Sequence, residues 1–371
     1  MGTGTLWQLA DALRSRRPDI ERFLERALAN GELVRDARGF LTPVAAPPDP
    51  DLMLSFHASW REMSPTGFLA KPLDLERVDR LGLGAIFETL CSLDLPEFPP
   101  CWLSDRFVVS YYFADAADLR NYHKAPSPNM GREIHDLCVA SLLQLHELEP
   151  SLRDAVNRAD AAVQAFSMAQ RYATACSELA ARWSLHVEDL PQAIPDGLIR
   201  GPQALFSDPK PANLLVPRRR REDGRGLRGA PWVRVDLDML LWEAPLVLQF
   251  ALVYFAHPVT FEGGVGLDEA FGIQFDRMRA AAAQACGASD QEIEFTVWYH
   301  LMRNFTSASK QGQLEKAHAM AGMLRAAGRR FATLGMKASA LRSLDDMLQT
   351  ASRAGIRDRN LGLPSDVEVL S

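Results

Sequence analysis

The stretch that most restricts this chain is Phe206-Ser207-Asp208-Pro209-Lys210-Pro211-Ala212-Asn213-Leu214-Leu215-Val216. Pro209 and Pro211 each remove a backbone donor and fix φ, so neither a helix interior nor a central strand can run through them. An apolar run follows at once, which places the turn between buried elements. A loop held in that way can aim two oxygen-bearing side chains, Asp208 and Asn213, into one cleft. Both residue types also serve as turn or cap residues, so the surrounding chain has to decide what they do.

The 371 residues suffice for two or three domains and a large core. A net charge of -6 leaves no global basic field for nucleic acid or an anionic membrane. The five cysteines are scattered, with no C-x-x-C pair and no histidines at zinc spacing, so reduced thiols in a cytoplasmic protein are expected. No signal-peptide pattern opens the chain, and no apolar run is long enough to cross a membrane. The most apolar stretch, Ala244 to Val259, reads as a buried helix.

In chain order, residues 3 to 43 read as helix, turn, helix and a hairpin over Leu33 to Leu41. That order resembles a winged-helix unit. DNA reading would need a basic second helix, and Asp19, Glu21 and Glu25 here balance Arg22 and Arg26. The segment reads as a docking or dimerisation module, which would make a homodimer. Ala45 to Pro50 is a linker by composition. Strands follow at Leu52 to His57 and at Gly67 to Lys71, then a helix from Asp74 to Leu93 that carries Glu88. Leu95 to Pro100 reads as a loop, Arg106 to Phe113 as a strand and Ala114 to Leu119 as a turn into a helix. Two helices are expected at Met130 to Leu148 and at about Leu152 to Leu185, with His135 and His146 as surface or core-edge residues. Leu190 to Pro202 is a loop leading into the proline-stiffened turn.

Two apolar strands are expected past that turn, Asn213 to Val216 and Trp232 to Val235. Between them lie six arginines, from Arg218 to Arg228, on a charged tip that is either solvated or able to grip an anion. Asp236 leaves the second strand directly and Asp238 points the same way two residues on, so either could hold a hard cation. Leu240 to Gly355 reads as helical, with Trp298, Tyr299, His300, Leu301 and Phe305 in its core. Gly263 to Gly266 is a break, and Leu361 to Ser371 a loose tail.

Taken together, strand lysine, helix glutamate, strand, two helices, Asp-x4-Asn loop, strand and aspartate stand in the order found in kinases. The chain resembles the protein-kinase-like superfamily. Asp208-Pro209-Lys210-Pro211-Ala212-Asn213-Leu214-Leu215 is similar to the D-x-K-P-x-N-L-L loop of protein kinases. Val235-Asp236-Leu237-Asp238, the helical second half and the absence of an A-P-E segment resemble the aminoglycoside phosphotransferase and choline kinase branch. The resemblance implies an α+β, bilobal protein-kinase-like fold, with a small β-rich N-lobe at 47–113 and a helical C-lobe at 114–355. The winged-helix-like module at 1–46 precedes them, and a tail at 356–371 follows.

The resemblance also implies roles. Asp208 would be the catalytic base, and Lys210 would share the charge of the transferred phosphoryl group. Asn213 with Asp236, or Asp238 in its place, would hold Mg2+. Lys71, fixed by Glu88, would touch the phosphates of ATP or GTP, and the hinge-like strand with Ser110 and Tyr112 would meet the nucleotide base. The expected reaction is transfer of a γ-phosphoryl group to a hydroxyl of a small molecule. Two departures stand against the pattern: Phe206-Ser207 replaces the histidine and glycine before the aspartate, and no glycine-rich loop precedes Lys71. A catalytically dead binding protein of the same fold is therefore one alternative. A DNA-binding regulator acting through residues 3 to 43 is another.

Overall fold

The computed structural model describes residues 33–35, 41–43, 67–72, 80–93, 95–99, 101–103, 107–113, 115–122, 129–161, 166–183, 190–237, 241–256 and 266–334, with single residues at 29, 63, 188 and 342. Leu33–Arg35 (β1) and Leu41–Pro43 (β2) pair antiparallel with Leu33 opposite Pro43, the hairpin expected there. The two helices expected before it, the strand at 52–57 and the tail lie outside the described residues. Gly67–Pro72 (β3) contains Lys71. Arg80–Ser92 (α1) follows, and Leu83, Ile86, Phe87 and Leu90 recur along it at helical spacing, all buried. Cys101–Leu103 (β4) was not foreseen. Phe107–Tyr112 (β5) lies between β3 and β4 in an antiparallel sheet of order β3-β5-β4.

The expected turn into a helix after Phe113 is instead a strand, Ala116–Asp118 (β6), and a single 3-10 turn, Leu119–Tyr122. The Asp118 side chain accepts the Arg120 N–H at 2.9 Å and so caps this short turn at its start. Met130–Arg158 (α2) runs through the break expected after Leu148. Pro150 sits inside it at an exposed position, while buried Leu145, Glu149, Leu152 and Val156 carry the stripe past it. The break comes after Arg158, where Asp160 takes φ 51°.

Met168–Trp183 (α3) is followed, in the expected loop, by one turn at Gly197–Arg200 (α4) and by Gln203–Phe206 (β7). Leu214–Pro217 (β8) and Val233–Arg234 (β9) are the two expected strands, separated by the short Arg218–Glu222 (α5). Leu241–Pro245 (β10) occupies ground read as helix. Glu243 at φ 60° and Pro245 both break a helix there, so Leu246–Phe255 (α6) starts only after them. Every residue of α6 is buried, as a helix apolar on all sides requires, and Gln249 is the one amide carried into it. Leu267–Cys286 (α7) stops at Gly287, whose φ of 64° is the left-handed cap that glycine adopts without strain. Asp290–Lys310 (α8) and Leu314–Arg330 (α9) complete the described helices.

The chain divides into two compact units, residues 1–166 with 204–243 and residues 167–203 with 244–371. This division does not follow the sequence boundaries at 46, 113 and 355. In the first unit, Phe87 and Leu90 of α1, Val108 of β5, Leu145 and Leu152 of α2, Leu205 of β7 and Trp242 of β10 form one buried cluster. β6, β8 and β9 make a second antiparallel sheet of order β6-β8-β9, and β7 pairs with β10. The second unit is helical. Tyr172 packs on Phe295 with ring centres 4.7 Å apart, and Phe275 on Phe331 at 4.8 Å. Trp298, Tyr299, His300, Leu301 and Phe305 are buried on α8, as expected.

Candidate active site

Asp208 is reached through a strand that the first unit holds firmly. The Leu205 N–H donates to Glu149 Oε2 at 3.0 Å. Glu149 also accepts from Arg153 at 2.9 Å and meets His146 Nδ1 at 3.2 Å, so a buried carboxylate of α2 fixes the entry to the turn. Phe206 is buried and packs on the Phe166 ring, centres 5.6 Å apart. The chain then turns sharply, with Asp208 at φ 49°. Aspartate tolerates this left-handed conformation better than most residues, yet it still costs about 1 kcal/mol.

The turn closes on itself. The Lys210 N–H donates to the Asp208 carbonyl at 2.8 Å, and the Asn213 N–H to the Lys210 carbonyl at 2.9 Å. Asn213 Nδ2 donates to the same Asp208 carbonyl at 2.9 Å. With the amide nitrogen engaged there, Asn213 Oδ1 is left as an acceptor. Lys210 Nζ forms an ion pair with Asp208 Oδ2. The Asp208 side chain keeps 23% of its surface open, so the carboxylate is held but reachable.

Two links bring the second aspartate to this turn. The Val235 N–H donates to the Asn213 carbonyl at 2.9 Å, which places Asp236 where the chain leaves β9 beside the loop. Asp236 takes φ 66°, left-handed like Asp208. The other link is Arg234, whose side chain is fully buried. Its Nη2 donates to both Ser207 O and Ser207 Oγ at 2.7 Å, and its Nη1 to Ser141 Oγ at 3.0 Å. Its backbone N–H donates to Glu97 O at 2.7 Å. Burial pulls the guanidinium pKa down to about 10, while the carboxylates of Asp208 and Asp236 hold it up. It stays charged at neutral pH, behind both carboxylates.

The sequence-derived candidates divide into three groups. Asp208, Lys210, Asn213 and Asp236 come together as described. Asp238 and the side chains of Lys71 and Tyr112 lie outside the described residues. The Lys71 backbone is in β3 opposite Val108, and Glu88 is on the exposed side of α1. Ser110 faces Leu69 on one side and Cys101 on the other, so strands flank it on both edges. Tyr112 is paired with Gly67 alone among the described residues.

Sequence reasoning missed Arg234, Ser207, Ser141 and Glu149. The one available signal was an arginine between two valines in a strand followed directly by Asp236. The arginine-rich segment is also better ordered than a bare tip. Leu227 is fully buried and its N–H donates to Glu133 Oε2 at 2.5 Å. Arg220 donates to Gly226 O at 3.2 Å, Arg218 to Ala116 O at 3.2 Å, and Arg225 pairs with Asp223. Several of these arginines therefore shape the segment itself.

The donor set suits a hard cation. Magnesium takes one or two carboxylates, with phosphate oxygens and water completing its shell. Asp236 and Asn213 Oδ1 offer oxygen ligands of that kind. Among the described residues, no three of His, Cys, Asp and Glu gather into a complete cage. Comparison with family models, with curated protein sequences and with solved structures finds no match to this chain.

Proposed function

We propose that this chain is a phosphotransferase of bilobal, protein-kinase-like architecture that moves the γ-phosphoryl group of ATP or GTP to a hydroxyl of a small molecule. The observation that carries the reading is the closed Asp208–Asn213 turn. Its aspartate is open to solvent, its asparagine amide is oriented by the aspartate carbonyl, and Asp236 leaves the neighbouring strand. The element order agrees with it: β3 with its lysine, α1 with its glutamate, β4 and β5, then β7, the turn and the β8–β9 pair.

In this reading the substrate hydroxyl oxygen attacks the γ-phosphorus. The bond to the bridging oxygen breaks, a nucleoside diphosphate leaves, and the hydroxyl proton passes to the Asp208 carboxylate. General-base help of this kind is worth about 10²- to 10⁴-fold in rate. Lys210, already on Asp208 Oδ2, shares the charge of the phosphoryl group in transit. Lys71, held by Glu88, contacts the phosphates of the bound nucleotide, and the backbone beside Tyr112 receives the base. Magnesium, held by Asn213 Oδ1 and Asp236 or Asp238, would neutralise phosphate charge. A polar or cationic acceptor suits a site with two aspartates and a chain of net charge -6.

A second reading, a kinase-like protein that binds without turnover, is favoured by one observation. Phe206, buried on Phe166, stands where the resemblance places a histidine. Magnesium-dependent nucleotide binding and hydrolysis, measured on the wild type and on Asp208→Ala, separate the two. Turnover in the wild type that drops by about 10²-fold or more in the variant, with binding retained, is the expected result. Equal turnover in both would sink the catalytic role, and binding without turnover in the wild type favours the second reading.

A further inference from the structure

We infer that Arg234 is the positioning residue of the Asp208 turn, acting as a clamp from β9 onto Ser207, the residue immediately before Asp208. The kinetic half of this inference rests on the phosphotransferase reading, and the structural half does not.

The argument begins with what a buried guanidinium needs. Taking a charge out of water is unfavourable unless nearly all its donors are met, and an apolar residue of similar size usually serves stability as well or better. Arg234 follows the fully buried Val233 in β9 and is itself fully buried, a position that by burial alone calls for an apolar side chain. The chain instead carries an arginine whose planar fork bridges Ser141 of α2 and Ser207 just past β7. Nη2 takes both acceptors of Ser207, and Nη1 takes Ser141 Oγ at 3.0 Å and lies 3.4 Å from Ser141 O on α2. Lysine could not span both with fixed geometry. Nε has no hydrogen-bond partner, so the fork is placed for the two serines and not for its own full satisfaction.

The turn needs a restraint of this sort. Asp208 sits at φ 49°, a conformation an unconstrained chain leaves readily. The residue before Ser207 is Phe206, whose ring packs but cannot hydrogen-bond. The bonds within the turn, Lys210 and Asn213 onto the Asp208 carbonyl, close it without fixing where it points. Arg234 supplies that direction, since its own backbone is held by Glu97 O and the following Val235 N–H holds Asn213 O. One residue of β9 thus sets the position of Asp208, and its neighbours set those of Asn213 and Asp236.

The test uses the full chain with Arg234→Lys and Ser207→Ala, the second removing one acceptor and leaving every charge in place. Amide hydrogen exchange is followed at Lys210, Asn213 and Val235, with the amides of α8 in the other unit as reference. Exchange at the three loop amides should quicken by about ten-fold in either variant, with the α8 amides within about two-fold of wild type. If the wild type turns nucleotide over, kcat should fall by about ten-fold or more in Arg234→Lys, with nucleotide KM moved by less than about three-fold. Unchanged loop exchange overturns the inference, and so does an equal rise in α8. An unchanged kcat in an active enzyme overturns it as well. Quickened loop exchange in a wild-type background without turnover supports the clamp and counts against the phosphotransferase reading. Should Arg234→Lys fail to fold, Ser207→Ala alone decides.

Discussion

At the scale of single residues, burial sets the protonation chemistry outside the candidate site. His300 on α8 is buried, with Asn304 Nδ2 at 2.8 Å from its Nε2. Burial pushes its pKa down to about 3, and the charges of Arg303 and Lys316 act in the same direction. The folded protein keeps this histidine neutral, whereas the unfolded chain protonates it near the ordinary value of about 6.5. Its contribution to stability is therefore complete above pH 6.5 and is lost as pH falls toward 3, at up to about 1.4 kcal/mol per pH unit. Urea unfolding at pH 7, 5.5 and 4.5 should show this loss, and His300→Gln should flatten it. An identical pH slope in the variant refutes the assignment. Asp208 and Asn213 could be named from sequence because Pro209, Pro211 and the apolar run restrict that stretch so tightly, Asp236 because it leaves a short apolar strand, and Lys210 through the resemblance of the loop. Arg234 was not named, since its place between two valines is a weak signal that does not by itself tell a buried arginine from a solvated one.

At the scale of elements, hydrophobic spacing carried most of the fold, and local chemistry decided the boundaries. α1, α2 and α8 follow their apolar stripes. The misplaced boundaries fell at Pro150, which the helix accommodates on an exposed side, and after Phe113, where strand β6 comes first and Asp118 caps only a single 3-10 turn. β4, β7 and β10 were missed because strands of three to five residues are too short for a period-2 pattern. The start of α8 is the clearest local signal. Ser289 Oγ accepts the Glu292 N–H at 3.4 Å, and Glu292 Oε2 accepts the Ser289 N–H at 2.6 Å, a reciprocal capping box. Ser289→Ala should lower unfolding free energy by about 1 kcal/mol in chemical denaturation. A change within error would mean that packing alone sets the start of this helix.

At the scale of the whole molecule, neither compact unit is a continuous piece of chain. The first closes its core only when Leu205, Leu237 and Trp242 return to residues contributed before position 166. A fragment of residues 1–166 lacks those three side chains and should show no cooperative thermal transition by circular dichroism, while the full chain does. A sharp transition in the fragment would show that its core is complete without them. By itself the sequence determined the mixed α+β character, the buried apolar α6, the β1–β2 hairpin and the strands flanking the proline-stiffened turn. Each of these follows from bonds and spacings within a few residues. Only the tertiary structure decided that Arg234 is buried behind both aspartates, that Glu149 props the strand before Asp208, and that β7 pairs with β10. Those depend on residues tens of positions apart meeting in a core, where burial turns an ordinary arginine and glutamate into fixed partners of the site.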